Sequence, residues 1–300
     1  MKIAITGASG LIGTGLVRHL EQNGHDIHPL VRRWPLHSAR QIFWNPAKGE
    51  IDRDNLEGLD AVIHLAGENL GSRWNSARKE RIMKSRCEGT RLLAAALARL
   101  RRPPAVFISA SATGFYGNRG ETLLDESAAA GSGFLAEVCA AWEAAAAPAR
   151  AAGIPVVHPR FGIILDRDGG ALARLLPLLR LGLGGKLGNG RQYWSWVAMA
   201  DVHRALTFLL EHPVTSGPVN LTAPAPVTNA VFTRTLAHAL HRPAFLAAPA
   251  FALRLVLGEM ADEMLLSSAR VVPARLTAAG FRFAYPDLAT ALPTVLVPTE

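Results

Sequence analysis

The chain opens with a short apolar run, Lys2-Ile3-Ala4-Ile5, whose β-branched residues predict a buried strand. Leu11, Ile12, Leu16, Val17 and Leu20 follow at the spacing of an amphipathic helix. The alternation then repeats. Asp26 to Val31 predicts a second strand, with Pro29 as an irregularity beside the sheet. Asp60 to Leu65 predicts a third strand, ending at Ala66-Gly67. Trp74 to Leu100 predicts a long helix that turns Ile82, Leu92, Leu93 and Leu97 inward and stops at Arg101-Arg102 and Pro103-Pro104. Ala105 to Ser109 predicts a fourth strand, Phe134 to Ala152 another long helix, and Pro155 to His158 a fifth strand after Gly153. Strands alternating with helices predict an α/β fold: a doubly wound parallel sheet of Rossmann type, with helices on both faces.

Beyond Phe161 the rhythm changes. Leu172 to Leu183 predicts an apolar helix ending in glycines, and Arg191 to Val197 a strand with Tyr193, Trp194 and Trp196. Asp201 to Glu211 predicts a helix with Asp201 as its N-cap, and Val219 to Leu221 a short strand. From about Thr228 helical patterns are separated by prolines. The expected organisation is a Rossmann domain over 1–221 and a smaller, mainly helical C-terminal domain over 222–300, with 162–197 contributing to a substrate lobe.

Composition adds bounds. Half the residues are hydrophobic and 19% are charged, as in an ordinary folded chain. No apolar run approaches the ~18 residues of a membrane span, and no membrane partner is expected. The N-terminal apolar run reads as a strand and not as a signal peptide, so a cytoplasmic protein is expected. The two cysteines, Cys87 and Cys139, make neither a disulfide framework nor a metal site. A net charge of +8 invites a nucleic-acid partner. The basic residues are spread along the chain, however, and lack interleaved aromatics, so none is expected. The excess either draws an anionic cofactor or substrate or reflects a compositional preference for Arg.

Candidate chemistry begins in the first turn, Thr6-Gly7-Ala8-Ser9-Gly10-Leu11-Ile12-Gly13. A glycine turn between a buried strand and a helix aims backbone N–H groups at whatever lies above the helix end, which makes a phosphate site. Gly7, Gly10 and Gly13 would shape the turn, with Ser9, Leu11 and Ile12 beside the phosphates. The second strand runs into Arg32-Arg33, and no Asp or Glu follows until Glu50. Two guanidinium groups there suit the 2′-phosphate of NADP, whereas an acidic residue would suit the 2′-hydroxyl of NAD, so NADP(H) is the expected cofactor. Leu65, Ala66 and Gly67 would let the adenosine lie close to the backbone, and His64 is expected to be a satisfied core histidine.

With these residues in hand, the chain resembles the short-chain dehydrogenase/reductase superfamily, in its extended, epimerase/dehydratase-like branch. It is similar to an atypical epimerase-like subfamily with its own C-terminal domain, whose members often carry a sugar-epimerase or cell-division-inhibitor label. The likeness lies in 64–70, 73–93, 109–117, 134–143 and 194–206, and in the tail over 226–244 and 270–283. The superfamily's chemistry needs a Tyr, a Lys four residues on and an upstream Ser. Four residues after Tyr116, Tyr193 and Tyr285 come Gly120, Val197 and Ala289, so that pair is absent. Aligning the helix on Glu143 puts Leu135 at the Tyr position and Cys139 at the Lys position.

The resemblance implies that Ser111 is the upstream Ser; the plainer alternative is a hydroxyl capping the strand end. Tyr116, on the same loop, either reaches the nicotinamide pocket or packs on the sheet edge. Cys139 is either an acid or nucleophile or a small buried hydrophobe. Arg86, at the position of the superfamily's helix Asn, either touches ribose or phosphate or is a solvated arginine. Arg160 and Arg191 would bind an anionic small-molecule substrate, Arg160 also the cofactor, or are salt-bridged surface arginines, and Trp194 and Trp196 either stack on a ring or fill the core. The expected function is an NADP(H)-binding oxidoreductase acting on a small or activated carbonyl or alcohol compound. A non-catalytic NADP(H) sensor and a nucleotide-sugar epimerase stay as alternatives, and a homodimer stays open.

Overall fold

The computed structural model describes residues 1–33, 38–212 and 216–297. Its strands are β1 (Lys2–Thr6), β2 (Asp26–Val31), β3 (Ile42–Asn45), β4 (Glu50–Ile51), β5 (Ala61–His64), β6 (Val106–Ser109), β7 (Ser111–Ala112), β8 (Leu123–Leu124), β9 (Val156–Phe161), β10 (Ile163–Leu165), β11 (Tyr193–Trp194), β12 (Trp196–Ala198), β13 (Gly217–Leu221), β14 (Val227–Thr228) and β15 (Arg270–Val271). Its helices are α1 (Leu11–Gln22), α2 (Ser76–Leu97), α3 (Phe134–Ala144), α4 (Ala147–Ala151), α5 (Gly170–Arg180), α6 (Met199–Glu211), α7 (Asn229–Ala239), α8 (Ala250–Leu257), α9 (Ala274–Ala278) and α10 (Leu288–Leu296).

The main sheet runs in the order β13-β9-β6-β5-β1-β2-β3-β4, and β7 adds to β9. Neighbours pair in parallel except β3 with β4. Alternate side chains of each inner strand go to opposite faces. Ile3, Ile5, Ile63 and Ile108 meet Leu16 and Leu20 of α1 and Leu206 and Leu209 of α6. Ala4, Val62 and Phe107 meet Leu93 and Leu97 of α2 and Ala149 of α4. This two-sided burial makes the strands apolar throughout. Each fully buried leucine contributes about 1.5–3 kcal/mol. The sheet is thus the doubly wound Rossmann arrangement expected from the alternation, and its strand C-termini converge near Gly7 and Gly67.

The remaining elements pack on one another. Leu172, Leu176 and Leu179 of α5, Trp194, Trp196, Phe232 and Leu236 of α7, and Leu288 and Leu292 of α10 form one apolar cluster. Trp194 and Trp196 therefore fill the core and are not open to a ring, while Ser195 between them bonds the carbonyl of Ala269. No helix among the described residues is long and apolar enough to cross a membrane.

Four local features differ from the sequence expectation. The helix over 134–152 is two helices, α3 and α4, because Ala145-Ala146 closes the first and Pro148 restarts the second in its opening turn, where a missing N–H costs nothing. β3 was hidden by its Pro/Trp/Asn-rich surroundings; its Trp44 is buried and lies against Gly89 of α2. Asp201 is not the N-cap of α6. Ala198 holds that place, and the fully buried Asp201 carboxylate accepts the N–H groups of Ala284 and Tyr285, both at 2.9 Å. Pro29 stays inside β2 opposite Ile5, and β3 pairs only from Leu30 onward, beyond the residue that lacks an N–H.

Two histidines are locked neutral in the sheet. Burial pushes His64 down to about 3, and burial pushes His158 down to about 4. Unfolding returns each to the ordinary value of about 6.5, so below that the unfolded chain binds more protons than the fold. Their contribution is intact above about pH 6.5 and is lost progressively as pH falls toward 4 and 3. Each should remove roughly 2 kcal/mol between pH 6.5 and 5. Urea unfolding at about pH 7 and pH 5 checks this, and an unchanged free energy would refute it.

Candidate functional site

β1 feeds directly into Gly7, which adopts φ +70°, a conformation that favours glycine. The Gly10 N–H closes the turn on the Gly7 carbonyl at 2.9 Å. A Cβ on Gly13 would collide with that carbonyl, and one on Gly7 would come within 3.0 Å of the Ala66 nitrogen. The turn is therefore pressed against both the first turn of α1 and the exit of β5, and side chains are excluded there. Gly10 caps α1 without a side chain, so the opening amides of the helix are left to a ligand. Ser9, Gly10 and Leu11 are exposed and Ile12 is half-buried. This is a cradle in which a diphosphate fits.

Thr6 ties the cradle to the next strand. Its hydroxyl accepts the N–H groups of Leu65 (3.1 Å) and Ala66 (3.2 Å) and sits 2.6 Å from His64 Nδ1. His64 is fully buried between Trp44 and Phe107 as a core histidine, but it is not fully satisfied: among the described residues its Nε2 has no hydrogen-bond partner. Leu65 and Ala66 are half-buried and Gly67 is exposed beside the cradle. Arg32 and Arg33, just past β2, are both exposed, and neither pairs with a carboxylate among the described residues.

Arg86 is not a solvated arginine. It is buried on α2, donates to the carbonyls of Glu68 (3.1 Å) and Ile82 (3.4 Å), and lies 5.0 Å from the centre of the Trp142 ring. A Cβ on Gly67 would come within 3.2 Å of its guanidinium carbon, so this cation backs the loop that leaves β5. Burial lowers its pKa, yet a guanidinium stays charged.

The second centre lies where β7, β9 and α3 meet. Arg160 is buried and grips Glu143 with two bonds, Nε to Oε1 at 2.7 Å and a terminal nitrogen to Oε2 at 2.9 Å. Ser111 Oγ donates to the same Oε1 at 2.7 Å. The other terminal nitrogen of Arg160 donates to the Tyr116 hydroxyl at 3.0 Å, and that hydroxyl donates to Asn220 Oδ1 at 2.7 Å. The Phe115 ring lies 3.5 Å from the guanidinium carbon. Burial opposes the charge on Arg160, but the bonds and attraction of Glu143 outweigh it and raise the pKa. Burial also raises the Tyr116 pKa against the pull of Arg160.

This arrangement corrects two expectations. Arg160 does not face a cofactor or an anionic substrate, because its guanidinium is spent on Glu143 and Tyr116 inside the protein. Tyr116 has no exposed surface and its hydroxyl is committed at both ends, so it packs within the sheet edge and not in the nicotinamide pocket. Ser111 keeps a place at the end of the fourth apolar strand, with its proton directed at a carboxylate. Glu143, which in the sequence serves only to align the helix, is the acidic member of this centre. No sequence signal marks it, because Glu143 and Arg160 meet only in the folded chain.

Cys139 lies on the inner face of α3, 3% exposed, near Gly114. Burial and then the Glu143 charge push its thiol up to about 11. At neutral pH it is a protonated thiol, which fits a small buried hydrophobe and not a nucleophile. Leu135, one turn earlier, is half-buried against Gly114. Arg191 is exposed and pairs loosely with Glu121 at 3.3 Å. The residues brought together at the strand ends are therefore the glycine turn, Leu65 to Gly67, Arg86 and, deeper, Ser111 with Glu143.

The model of the NAD dependent epimerase/dehydratase family matches residues 3–222, and a domain of unknown function matches 248–295. An epimerase family protein of Mycobacterium leprae is 45% identical over 97% of this chain and 94% of its own length. The epimerase family protein SDR39U1 of Bos taurus is 36% identical over 99% of this chain and 100% of its own. The crystal structure of human epimerase family protein SDR39U1 (isoform 2) with NADPH superposes with a TM-score of 0.88 at 32% identity, covering 99% of each chain. A nucleoside-diphosphate sugar epimerase from Corynebacterium glutamicum superposes at 0.81 with 36% identity, covering 99% of this chain and 58% of that one. On sequence and fold together, the chain belongs to the NAD dependent epimerase/dehydratase family.

Proposed function

We propose that the chain is an NADP(H)-binding oxidoreductase for a small carbonyl or alcohol compound, working without the Tyr/Lys pair of its superfamily. The observation that carries this reading is the side-chain-free cradle at Gly7, Gly10 and Gly13 beside two arginines that have no carboxylate partner among the described residues. The binding of NADPH by the similar human protein supports it. Gly7, Ser9, Gly10, Leu11, Ile12 and Gly13 would surround the diphosphate, and Leu65, Ala66 and Gly67 the adenosine. Arg32 and Arg33 would take the 2′-phosphate and Arg86 would add a fixed positive charge behind the β5 loop. The bound dinucleotide supplies or accepts the hydride.

The protein's own part is proton handling and orientation. Ser111 directs its proton at an ionised carboxylate, so its remaining lone pairs accept a hydrogen bond from a substrate hydroxyl. Glu143 receives the serine proton when Ser111 takes that of the alcohol. Arg160 keeps Glu143 in place. Such positioned acid–base help is worth about 10²–10⁴ in rate. A sugar epimerase would need the same proton to leave a hydroxyl without a tyrosinate, which makes that reading weaker. The sensor reading draws support from Tyr116 and Cys139, because neither offers a free acid or base at neutral pH.

Two experiments separate these readings. Titration of NADPH and NADH should show that Arg32→Ala with Arg33→Ala weakens NADPH by about 10–100-fold, while NADH changes less than threefold, the loss expected of charge-assisted bonds to one phosphate. Equal losses would remove the 2′-phosphate role. Stereospecific hydride exchange from labelled NADPH onto a carbonyl panel should fall about 10²-fold in Ser111→Ala, with NADPH affinity unchanged, and should survive in Cys139→Ala. Tight NADPH binding with no exchange onto any compound would favour the sensor.

A further inference from the structure

Two stretches of the chain, 169–200 and 212–258, contain no Asp or Glu. At the chain's overall density, 24 acidic residues in 300, about six would fall there. The fold joins these stretches along one seam. The Leu246 N–H donates to the Gly184 carbonyl (3.2 Å), Ala248 to Lys186 (2.9 Å) and Gly188 to Ala248 (2.8 Å). Arg242 Nε donates to the Arg180 carbonyl at 3.0 Å. Gly185 permits the seam, since any Cβ there would collide with the Leu246 carbonyl.

A hollow of about 450 Å³ opens at this seam beside α7, lined by Lys186, Arg234, His238, Arg242 and Phe245 among small residues. That volume lies within the range of small-molecule sites. Elsewhere in the two stretches, Arg254 pairs with Asp262 (2.9 Å) and Arg191 with Glu121 (3.3 Å). Among the described residues, Lys186, Arg234 and Arg242 have no carboxylate partner. Phe245, which lines the hollow, is 74% exposed, and Leu181 (73%) and Leu183 (54%) stand exposed in the adjoining segment of the seam. Concentrated cations without counter-charge ask for an anion, and exposed apolar side chains beside them ask for a body to cover them. A second copy of the chain would set like charges face to face, so self-association does not satisfy both.

We propose that this hollow, separate from the glycine cradle, binds the phosphate group of an amphiphile whose apolar body covers Leu181, Leu183 and Phe245. The planar forks of Arg234 and Arg242 match phosphate oxygens, and Lys186 adds a point charge.

The test titrates short-chain phosphatidic acid, kept monomeric, with NADPH present so that the cradle at α1 does not compete for the anion. Saturable binding is expected. Arg234→Glu with Arg242→Glu should weaken it about tenfold or more, and Lys186→Glu should weaken it too, without touching the bond to the Arg180 carbonyl. Phe245→Ser should weaken it about fivefold through lost apolar cover. Arg99→Glu with Arg282→Glu reverses as much charge outside the two stretches and should change nothing. Co-sedimentation with phosphatidylglycerol vesicles would place the amphiphile in a bilayer, and monomer binding without it would indicate a soluble ester; both support the site. The proposal is overturned by no saturable binding, by equal loss in the Arg99/Arg282 control, or by inorganic pyrophosphate binding as tightly as the amphiphile.

Discussion

The Arg160–Glu143 pair is the interaction on which the inner architecture turns. It joins β9, the strand-end serine and helix α3, and through Tyr116 it reaches Asn220 on β13. Two charges taken out of water are costly, and the cost is offset only when geometry is good and the remaining valences are filled. Here they are filled: both carboxylate oxygens accept, and the guanidinium also meets a hydroxyl and an aromatic face. Loss of Glu143 alone would strand a buried cation at a cost of about 3–5 kcal/mol. The pair thus specifies which way β7 and α3 face each other, and with them the position of Ser111.

That pair also reshapes the chemistry available. In a Tyr/Lys site the lysine cation sits one turn from the tyrosine and lowers its pKa. In this chain Leu135 and Cys139 stand at those places, and the thiol is driven up and not down. The positive charge has moved elsewhere, to Arg86 behind the β5 loop and to Arg160 beneath Ser111. What remains, buried below the strand ends, is a serine hydroxyl backed by a carboxylate. Such a group orients a hydroxyl more readily than it protonates a carbonyl.

Much of the fold was legible because two-sided burial leaves a strong signal: short apolar runs alternating with helical periodicity give the parallel sheet directly. The glycine cradle was legible for a related reason, since backbone contact between Gly7, Gly13 and Ala66 tolerates no side chain. The misses have their own physics. Alanine-rich sequence runs smoothly through the α3–α4 break, because alanine carries no sign of where a helix stops. β3 is short and flanked by polar and proline residues, so its periodicity never accumulates. For Arg160 and Tyr116, sequence spacing says which strand end a residue occupies but not which way a long side chain folds back. Only three-dimensional proximity to Glu143, seventeen residues away from Arg160, decides it.

Helix α6 has a role that its amphipathic pattern does not announce. In its first turn Asp201 fastens the backbone of Ala284 and Tyr285. Two residues on, His203 reaches the Ile12 carbonyl at 3.3 Å and fills the space that Gly15 leaves in α1. One short segment therefore moors both the N-terminal helix and the C-terminal tail. A change in the first turn of α6 is therefore felt at both ends of the sequence, at Ile12 and at Ala284-Tyr285.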